Sequence, residues 1–342
     1  MNRLVRLIVC SAAIAELGSL GACVVISGAA DGDRPPDGDR PPDGGRPPGG
    51  GGPIVDGGLT GRDVSMRWLV FDSDRGTFNR DIYLIRGDGS QLMRLTSEPS
   101  VERDPAFSYD GASLAFASDR SGSMQIHVMD LALRQVKQLT FLAAGADQPS
   151  WSRDGSQIAF HSGPSVYVMS ADGSDARVLA AGPDLSNAYR YPSFSLDGSE
   201  VMFSRSNEID AMTIDRRAQR YVVQNWTTIE ETPALSGDGR LVAFGVGCDS
   251  WESIAITSFA DYAPDPCKTQ RVTPPATAVA RRPSWAGNDA IAFERAPSAQ
   301  GDAVISVTGA PGGAPHDIIG PPGNHRDPSW APVGFQPVVF GD

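Results

Sequence analysis

Residues 103–120 read RDPAFSYDGASLAFASDR, and this order of residue types decides the fold of the chain. A proline is followed by an aromatic residue, a serine, an Asp-Gly pair and an alternating apolar run. An Asp-Gly pair between two such runs is a strong signal for a β-hairpin. The same order returns at residues 147–163 as DQPSWSRDGSQIAFHSG, so the stretch is one copy of a repeat.

The repeat continues to the C-terminal region with spacings of 41 to 50 residues between its prolines. After the turn comes a second strand, such as SLAFAS or QIAFHS, and then a third strand. A fourth strand follows and ends in Leu-Thr or in a related residue pair. Four short antiparallel strands per period predict a propeller blade and an all-β chain. We expect each proline to begin the innermost strand of a blade, where it removes a backbone donor that has no ladder partner, and the aromatic residue after it to pack between neighbouring blades. The anchoring prolines are Pro105, Pro149, Pro192, Pro233, Pro283 and Pro328.

The register of the repeat predicts a six-bladed β-propeller of four-stranded antiparallel blades. Residues 66–97 hold the later strands of a blade but lack the proline-aromatic opening, whereas residues 327–330 supply an opening with little after it. Joining the two closes the ring, so we expect the C-terminus to complete the first blade. Residues 337–340 could compete with residues 68–71 for the second-strand position, and the sequence leaves that choice open.

The motif P-x-[WF]-S-x-D-G-x-x-[IVL]-A-F-x-S-D-R, ending in Leu-Thr, resembles the TolB-type WD-like β-propeller repeat. The resemblance covers about residues 66–342. It implies a propeller that binds other proteins, which is an argument by analogy of fold. TolB-type chains carry an α/β domain before the propeller, and the pattern of this sequence predicts a lipidated tether in its place.

The N-terminal segment is typical of a bacterial lipoprotein signal peptide, which we assign to residues 1–22. Arg3 and Arg6 precede an apolar stretch, and Leu20-Gly21-Ala22-Cys23 resembles a lipobox. We therefore expect acylation of Cys23. Because Glu16 interrupts the apolar stretch, an ordinary cleaved signal and an uncleaved segment remain alternatives.

Residues 23–60 are predicted to be the lipid anchor and a disordered tether, and residues 61–342 the propeller. The tether contains the hexads DGDRPP, DGDRPP and DGGRPP followed by glycines. Its Pro-Pro pairs favour polyproline II, and the composition offers nothing to bury in a core. The interpretation is a spacer between the anchor and the propeller.

Composition and motifs argue against catalysis and against nucleic-acid binding. The 342-residue chain has 29 basic and 41 acidic side chains, a net charge of −12. Its four histidines have no ligand-like spacing, and no H-E-x-x-H, G-x-S-x-G or P-loop motif is present. We predict no catalytic residue, metal or cofactor. A saccharide or cell-wall binding propeller is the alternative, and a propeller hydrolase or lyase a weaker one.

Two cysteines lie within the predicted propeller, Cys248 and Cys267. An oxidising compartment favours a disulfide between them. The blade register places them at opposite ends of a third strand, and only the insertion at residues 258–266 could bring them together. The sequence does not decide between a bonded and an unbonded pair.

A charged position stands two residues before each anchoring proline, and in a propeller these equivalent strand starts would ring one mouth of the central channel. One interpretation is that its arginines pair with Asp104, Asp147, Glu231 and Asp327 and join neighbouring blades. The other is a cationic mouth that receives carboxylates of a partner. The candidate binding residues are Arg103, Arg190, Arg281 and Arg326, and the two remaining positions hold Asp147 and Glu231.

The expected partner is an envelope protein or peptide, bound by a monomeric propeller. Membrane contact is expected through the lipid anchor alone. Val24 follows Cys23 where an inner-membrane lipoprotein would carry aspartate, which by family analogy indicates the outer membrane.

We expect the Cys23→Ser variant to incorporate no labelled palmitate in cells, because the thiol of Cys23 is the acylation site that the Leu20–Cys23 motif offers. The measurement is metabolic labelling followed by gel fluorography, with the wild-type chain alongside. A serine variant that is still labelled would contradict the lipobox assignment.

Overall fold

The computed structural model describes residues 62–76, 79–206, 208–224, 230–248, 251–273, 279–298, 301–309 and 312–337. Cys23, the predicted signal peptide and the predicted tether lie outside these residues, as do residues 338–340 of the segment whose strand character the sequence left open. Pro337 itself is described and is not in a strand.

The described residues form twenty-four β-strands, the short helix α1 and one 3₁₀ turn at Pro266–Lys268. None of their helices is long and apolar enough to cross a membrane. In chain order the elements are α1 (Arg62–Ser65), β1 (Trp68–Ser73), β2 (Asp81–Arg86), β3 (Met93–Arg94), β4 (Glu102–Phe107), β5 (Ser113–Ser118), β6 (Gln125–Asp130), β7 (Val136–Gln138), β8 (Asp147–Trp151), β9 (Gln157–Ser162), β10 (Ser165–Ser170), β11 (Arg177–Ala180), β12 (Tyr189–Phe194), β13 (Glu200–Arg205), β14 (Glu208–Thr213), β15 (Gln219–Gln224), β16 (Glu230–Leu235), β17 (Leu241–Cys248), β18 (Trp251–Ser258), β19 (Gln270–Arg271), β20 (Val279–Ala286), β21 (Ala290–Ala296), β22 (Val304–Gly309), β23 (His316–Ile319) and β24 (His325–Trp330).

The strands assemble into six antiparallel four-stranded sheets, which we call blades 1 to 6. Blade 1 has the order β24-β1-β2-β3, and blades 2 to 6 each take four consecutive strands from β4 to β23. The inner strands β24, β4, β8, β12, β16 and β20 contact one another in sequence around the whole ring. The predicted six-bladed propeller, with its first blade completed by the C-terminal strand, is confirmed.

The propeller has two ends, which differ in their connections. The loops between blades and between second and third strands form one end, here called the loop face. The Asp-Gly turns, α1 and the segment after β24 form the other, here called the turn face. Each inner strand runs from the loop face to the turn face.

The Ser-x-Asp-Gly sequence builds a turn held by side chains, as in blade 2. Ser108 Oγ accepts the N–H of Ser113, and Asp110 Oδ1 accepts the N–H of Ala112. Gly111 takes φ of 72°, a left-handed conformation in which a side chain would be strained. The same contacts recur at Ser152, Ser195 and Ser236, which explains why this tetrad repeats in the sequence.

The anchoring prolines do not begin the inner strands, as the sequence had led us to expect. Pro105 is the fourth residue of β4, at a β-bulge where the pairing with β5 shifts between Arg103 and Ala106. A bulge leaves one residue unpaired, so a residue without an N–H fits there. All six inner strands carry this shift.

Apolar packing is concentrated at the six seams between neighbouring blades, each of which contains one hydrophobic cluster. The aromatic residue after the proline reaches across the seam, as predicted. Trp151 Nε1 donates to Ala106 O of the preceding blade at 3.2 Å, and Trp285 Nε1 to Ala234 O at 3.0 Å. The phenylalanine of every second strand is fully buried: Phe71, Phe116, Phe160, Phe203, Phe244 and Phe293.

The Leu-Thr that closes a blade has a defined contact. Thr96, Thr140 and Thr273 each use Oγ1 to accept a third-strand N–H, from Ile82, Ile126 and Ile254 respectively. The hydroxyl thus takes the place of a backbone acceptor where the fourth strand ends.

The insertion at residues 259–265 of blade 5 covers the outer edge of blade 4. Ala263 forms a parallel bridge with Val223 of β15, and its N–H donates to Val222 O. Tyr262 lies beside Tyr221 with ring centroids 6.5 Å apart. An uncovered edge strand invites pairing with another chain, so this insertion protects blade 4.

We expect deletion of residues 325–342 to lower the melting temperature by many degrees or to cause aggregation. The deletion removes β24, leaving the edge of β1 unpaired and the ring open between β4 and β20. Differential scanning calorimetry and light scattering measure the two outcomes.

A chain ending after Pro337 is the matched control, because it retains β24 and Phe335, whose ring lies 5.0 Å from that of Phe107. The control is expected to melt close to the full chain. If the longer deletion also melted unchanged, the closing strand would not be needed for the ring.

Candidate functional site

Near its start, each inner strand places one charged residue at the mouth of the channel on the loop face. We call these six residues the collar. Four are arginines in a chain of net charge −12, and three of the arginines lie in the consecutive blades 6, 1 and 2. From blade 1 to blade 6 the collar consists of Arg326, Arg103, Asp147, Arg190, Glu231 and Arg281.

Arg103 joins blades 2 and 3. Its Nη2 lies 2.7 Å from Asp147 Oδ2, and its Nε lies 3.5 Å from Asp104 Oδ2. The other oxygen of Asp147 lies 2.7 Å from His161 Nδ1, while Nε2 of His161 is buried with no hydrogen-bond partner among the described residues. One carboxylate thus holds both a guanidinium and an imidazole.

Arg281 of blade 6 pairs with Glu252 of the neighbouring blade 5 through both Nε and Nη2. From blade 2 to blade 6, arginine and acid alternate around the collar. The collar residue that follows Arg281 is Arg326 of blade 1, so an arginine stands here where Arg103 is followed by Asp147. The Arg326 guanidinium meets Asn324 Oδ1 at 3.4 Å.

Arg190 and Arg326 have no carboxylate of a described residue within ion-pair distance. The side chain of Glu231, which follows Arg190 around the collar, lies outside the described residues. Blades 6, 1 and 2 therefore present three guanidinium groups in succession, an arc of positive charge that we call the arginine arc.

Below the collar, the residue before each proline lines a narrow part of the channel, which we call the constriction. All six of these residues are left-handed, with φ between 51° and 55°, a conformation rare outside glycine. With the prolines they surround a cavity of about 130 Å³. The six residues are Asp104, Gln148, Tyr191, Thr232, Arg282 and Asp327.

The left-handed conformation is used for bonds that run from blade to blade. The N–H of Gln148 donates to Asp104 Oδ2 at 3.3 Å, and the N–H of Tyr191 donates to Gln148 Oε1 at 2.9 Å. The N–H of Asp327 similarly donates to Glu294 of blade 6 at 2.8 Å. The side chain of one blade thus accepts the donor that the bulge of the next blade turns inward.

Acidic groups crowd the constriction near the closure of the ring. Burial raises the pKa of Asp104, and the carboxyl group of Asp327 raises it further. Burial also raises the pKa of Glu294, although Arg282 opposes the shift. Arg282 Nη1 lies 2.8 Å from Glu294 Oε1, and its Nε lies 3.1 Å from Asp327 Oδ1.

The channel widens towards the turn face into a funnel of about 780 Å³, which is within the usual size of ligand pockets. The edges of Trp151, Trp285 and Trp330 contribute to its wall, but all three rings are buried between blades. Arg153 lies over the Tyr109 ring at 5.4 Å and donates to Gly237 O of blade 5.

The predicted binding residues Arg103, Arg190, Arg281 and Arg326 are therefore brought to one mouth, but their environments differ. No group of three or more histidine, cysteine, aspartate or glutamate side chains in the described parts of the chain could hold a metal ion. Cys267 is disulfide-bonded. The side chain of Cys248 lies outside the described residues, so the pairing of these two cysteines, which the sequence left open, stays open.

Sequence reasoning named Asp104 and Asp327 as ion-pair partners of the arginines but missed the six-residue constriction to which they belong. Its six residues share no side-chain type, so a search for repeated identities passed over the position before the proline. The available signal was that this position, between the charged collar residue and the proline, holds a polar side chain in all six copies.

Comparison with known proteins finds a family model described as "TolB beta propeller domain", which matches residues 66–162 and 123–263. The protein TolB homolog of Chlorobium luteolum is 32% identical over 151 residues, covering 42% of this chain and 33% of that protein. The Tol-Pal system protein TolB of Nitratidesulfovibrio vulgaris is 26% identical over 152 residues, covering 43% and 34%. This chain thus spans about a third of the length of the curated relatives it matches.

Among solved structures, TolB from Acinetobacter baumannii superposes with a TM-score of 0.66 at 18% sequence identity. The match covers 79% of this chain and 67% of that one. At this identity the likeness establishes the shared fold.

We expect Thr232→Asn to raise the free energy of unfolding by about 1 kcal/mol. A β-branched residue with positive φ is strained, whereas asparagine tolerates this conformation, and such strain costs on the order of 1–3 kcal/mol. Thr232 Oγ1 is also buried without a hydrogen-bond partner among the described residues. Urea denaturation measures the change.

Thr257→Asn is the matched control, since Thr257 lies in the ordinary strand β18 and has no positive φ. That substitution is expected to destabilise the protein. Equal destabilisation by both variants would show that residue 232 bears no removable strain.

Proposed function

Because this chain belongs to the TolB beta propeller domain family, we propose that it is a non-catalytic scaffold of the bacterial envelope that binds another protein through its loop face. Family membership supports the propeller scaffold and a protein partner in general. The binding surface, the absence of catalysis and the location are our proposals.

The arginine arc is the observation that carries the proposal. A guanidinium has five N–H donors in a planar fork, and an ion pair with one carboxylate occupies two of them. The Arg103 and Arg281 side chains retain 40% and 30% exposure, so a partner can approach both guanidinium groups. Arg326 lies between them in the ring without a described carboxylate partner. The arc therefore suits acidic side chains or a terminal carboxylate of a protein.

One relative bears the name Tol-Pal system protein TolB, which supports an envelope assembly as the setting. The match covers 34% of that protein, so its partners do not transfer to this chain directly. What supports a protein partner here is the combination of the shared propeller and an exposed charged mouth.

The described residues offer no arrangement suited to acid–base or nucleophilic catalysis at either face. His127 and His325 are buried in seams and bonded through Nδ1 to Gln125 O and Ser73 Oγ. His161 contacts Asp147 through Nδ1, and its Nε2 is buried. No histidine of this group faces a cavity as a free base, which supports a binding role over a hydrolase or lyase.

Among the described residues, the exposed pair Tyr221 and Tyr262 is a candidate surface for the saccharide alternative. Their rings are tilted by 51°, and the Tyr262 hydroxyl already donates to Gln224. A tilted pair does not offer the flat platform on which a sugar ring stacks, so we place protein binding first.

We further propose that Cys23 carries the lipid that fixes the protein to the outer membrane, with residues 23–60 as the tether. The lipobox resemblance and the Pro/Gly/Asp-rich composition support this arrangement. The propeller is then free to meet a partner at a distance from the lipid surface.

We expect Arg190→Gln with Arg326→Gln to weaken partner binding at least tenfold and to leave the melting temperature unchanged. Neither guanidinium has a described ion pair to lose, while charge-assisted hydrogen bonds to a partner contribute about 1.5–3 kcal/mol when desolvated. The partner is first captured by crosslinking in intact envelopes and identified by mass spectrometry. Its binding is then titrated at two salt concentrations.

Arg217→Gln is the matched control, because Arg217 is an exposed arginine of a turn-face loop. Arg103→Ala with Arg281→Ala is the second arm, in which Asp147 and Glu252 also lose their partners. Normal binding with a lowered melting temperature in that arm would show that the collar arginines only join blades. Equal loss of binding in the Arg217 control would show a general effect of charge.

A further inference from the structure

A narrow cleft lies between blades 6 and 1, beside the collar residues of these two blades. Its volume is about 30 Å³, close to the space of one water molecule in the liquid, so it admits a single small group such as a carboxylate. Three of the side chains that line it are positively charged and one is negatively charged. These are Arg281, Arg282 and Arg326, with Glu294. Ala296 and Ala303 form part of the remaining wall.

Arg326 offers hydrogen-bond donors to this cleft. Its Nε donates to Asn324 Oδ1 at 3.4 Å. Within the described ranges of the chain, neither of its terminal nitrogens has a hydrogen-bond acceptor or a carboxylate at ion-pair distance. Those two nitrogens carry the remaining N–H groups of the fork, in the planar arrangement that matches the two oxygens of a carboxylate. The side chain is partly buried, so a pair formed here is less screened by water than one on an open surface.

Asn324 holds this guanidinium in place. Its Oδ1 also accepts the N–H of Ala303 at 3.0 Å, and its own N–H donates to Asp74 Oδ1 at 2.7 Å. These bonds tie the loop before β22 and the loop after β1 to the residue that precedes β24. The position of the guanidinium is thus fixed before a ligand arrives, which reduces the conformational entropy that binding costs.

The negative charge in the cleft already has its partner. Glu294 Oε1 lies 2.8 Å from Arg282 Nη1 and also accepts the N–H of Asp327 at 2.8 Å. Asp327, the second acid beside Arg282, lines the constriction instead of the cleft. Arg281 is bonded to Glu252 through Nε and Nη2, which fixes its positive charge at the cleft wall. The charge of the third arginine is therefore the one that a ligand can neutralise.

We propose that this cleft binds one carboxylate group, with Arg326 donating to both oxygens and Arg281 adding its charge. The inference deepens the proposed function and rests on it for the source of the group, which is a protein partner. The carboxylate is supplied by the C-terminus of that partner or by an aspartate or glutamate side chain. The cleft thereby gives the arginine arc one defined binding position, which two blades share.

The test is an NMR titration of the full chain with three capped tripeptides at constant ionic strength. Acetyl-triglycine carries a free C-terminus, the amide of acetyl-Gly-Glu-Gly carries a side-chain carboxylate, and the amide of acetyl-Gly-Gln-Gly carries no charge. We expect saturable shifts of the Ala303 amide and the Arg326 Nε–H with at least one carboxylate peptide, and none with the uncharged one. The peptide that binds identifies the source of the carboxylate.

In Arg326→Gln we expect the dissociation constant of the bound peptide, followed at the Ala303 amide, to rise at least tenfold. Asn324→Asp is a second variant, because its carboxylate lies beside the Arg326 guanidinium and competes with the ligand, so it should weaken binding as well. Arg295→Gln is the matched control, since Arg295 follows Glu294 on β21 but pairs with Asp317 and does not line the cleft. It should bind the peptide as the wild type does.

Equal shifts with the uncharged peptide, binding of neither carboxylate peptide, or unchanged affinity in Arg326→Gln would overturn the inference. The proposed function is judged separately, by the captured partner and the variant that combines Arg190→Gln with Arg326→Gln. Loss of partner binding in that variant, without any binding of the peptides, would leave the proposed function standing and remove the cleft. Peptide binding with undiminished partner binding would support the cleft and contradict the proposed binding face.

Discussion

The left-handed residue before each anchoring proline is the constraint on which the propeller depends. It bulges every inner strand, and the proline that follows has no N–H to leave unpaired. The bulge turns a backbone donor towards the channel, where the side chain of the preceding blade accepts it, as Asp104 does for Gln148. These contacts between blades offset a backbone strain of about 1–3 kcal/mol at each position.

The same geometry places charged side chains at two different depths of the channel. Residues two positions before the proline reach the loop face as the collar, whereas residues directly before it are held in the constriction. Arg326 and Arg282 illustrate the difference: within the described part of the chain the guanidinium of Arg326 has a hydrogen bond to Asn324 and no ion pair, whereas that of Arg282 is enclosed by Glu294 and Asp327. A guanidinium in the collar is available to a partner, and one in the constriction neutralises buried acids.

Much of the fold followed from local patterns. The Ser-x-Asp-Gly turns, the seam-crossing tryptophans and the completion of blade 1 by β24 were all predictable, because each repeats a short motif with its own hydrogen bonds. The position of the proline within its strand was predicted wrongly. A bulge is defined by pairing with a neighbouring strand, and the inner strand read alone resembles one that begins at its proline.

The sequence by itself determined the number of blades, their strand order and which end of the ring carries the arginines, since these depend on periodicity along the chain. Only the tertiary structure decided which charges meet. Arg103 finds Asp147 forty-four residues away, Arg281 finds Glu252 instead of an acid of the collar, and Arg282 of blade 6 finds Asp327 of blade 1. These contacts cross between blades, and no local pattern specifies which side chain lies opposite once the ring has closed.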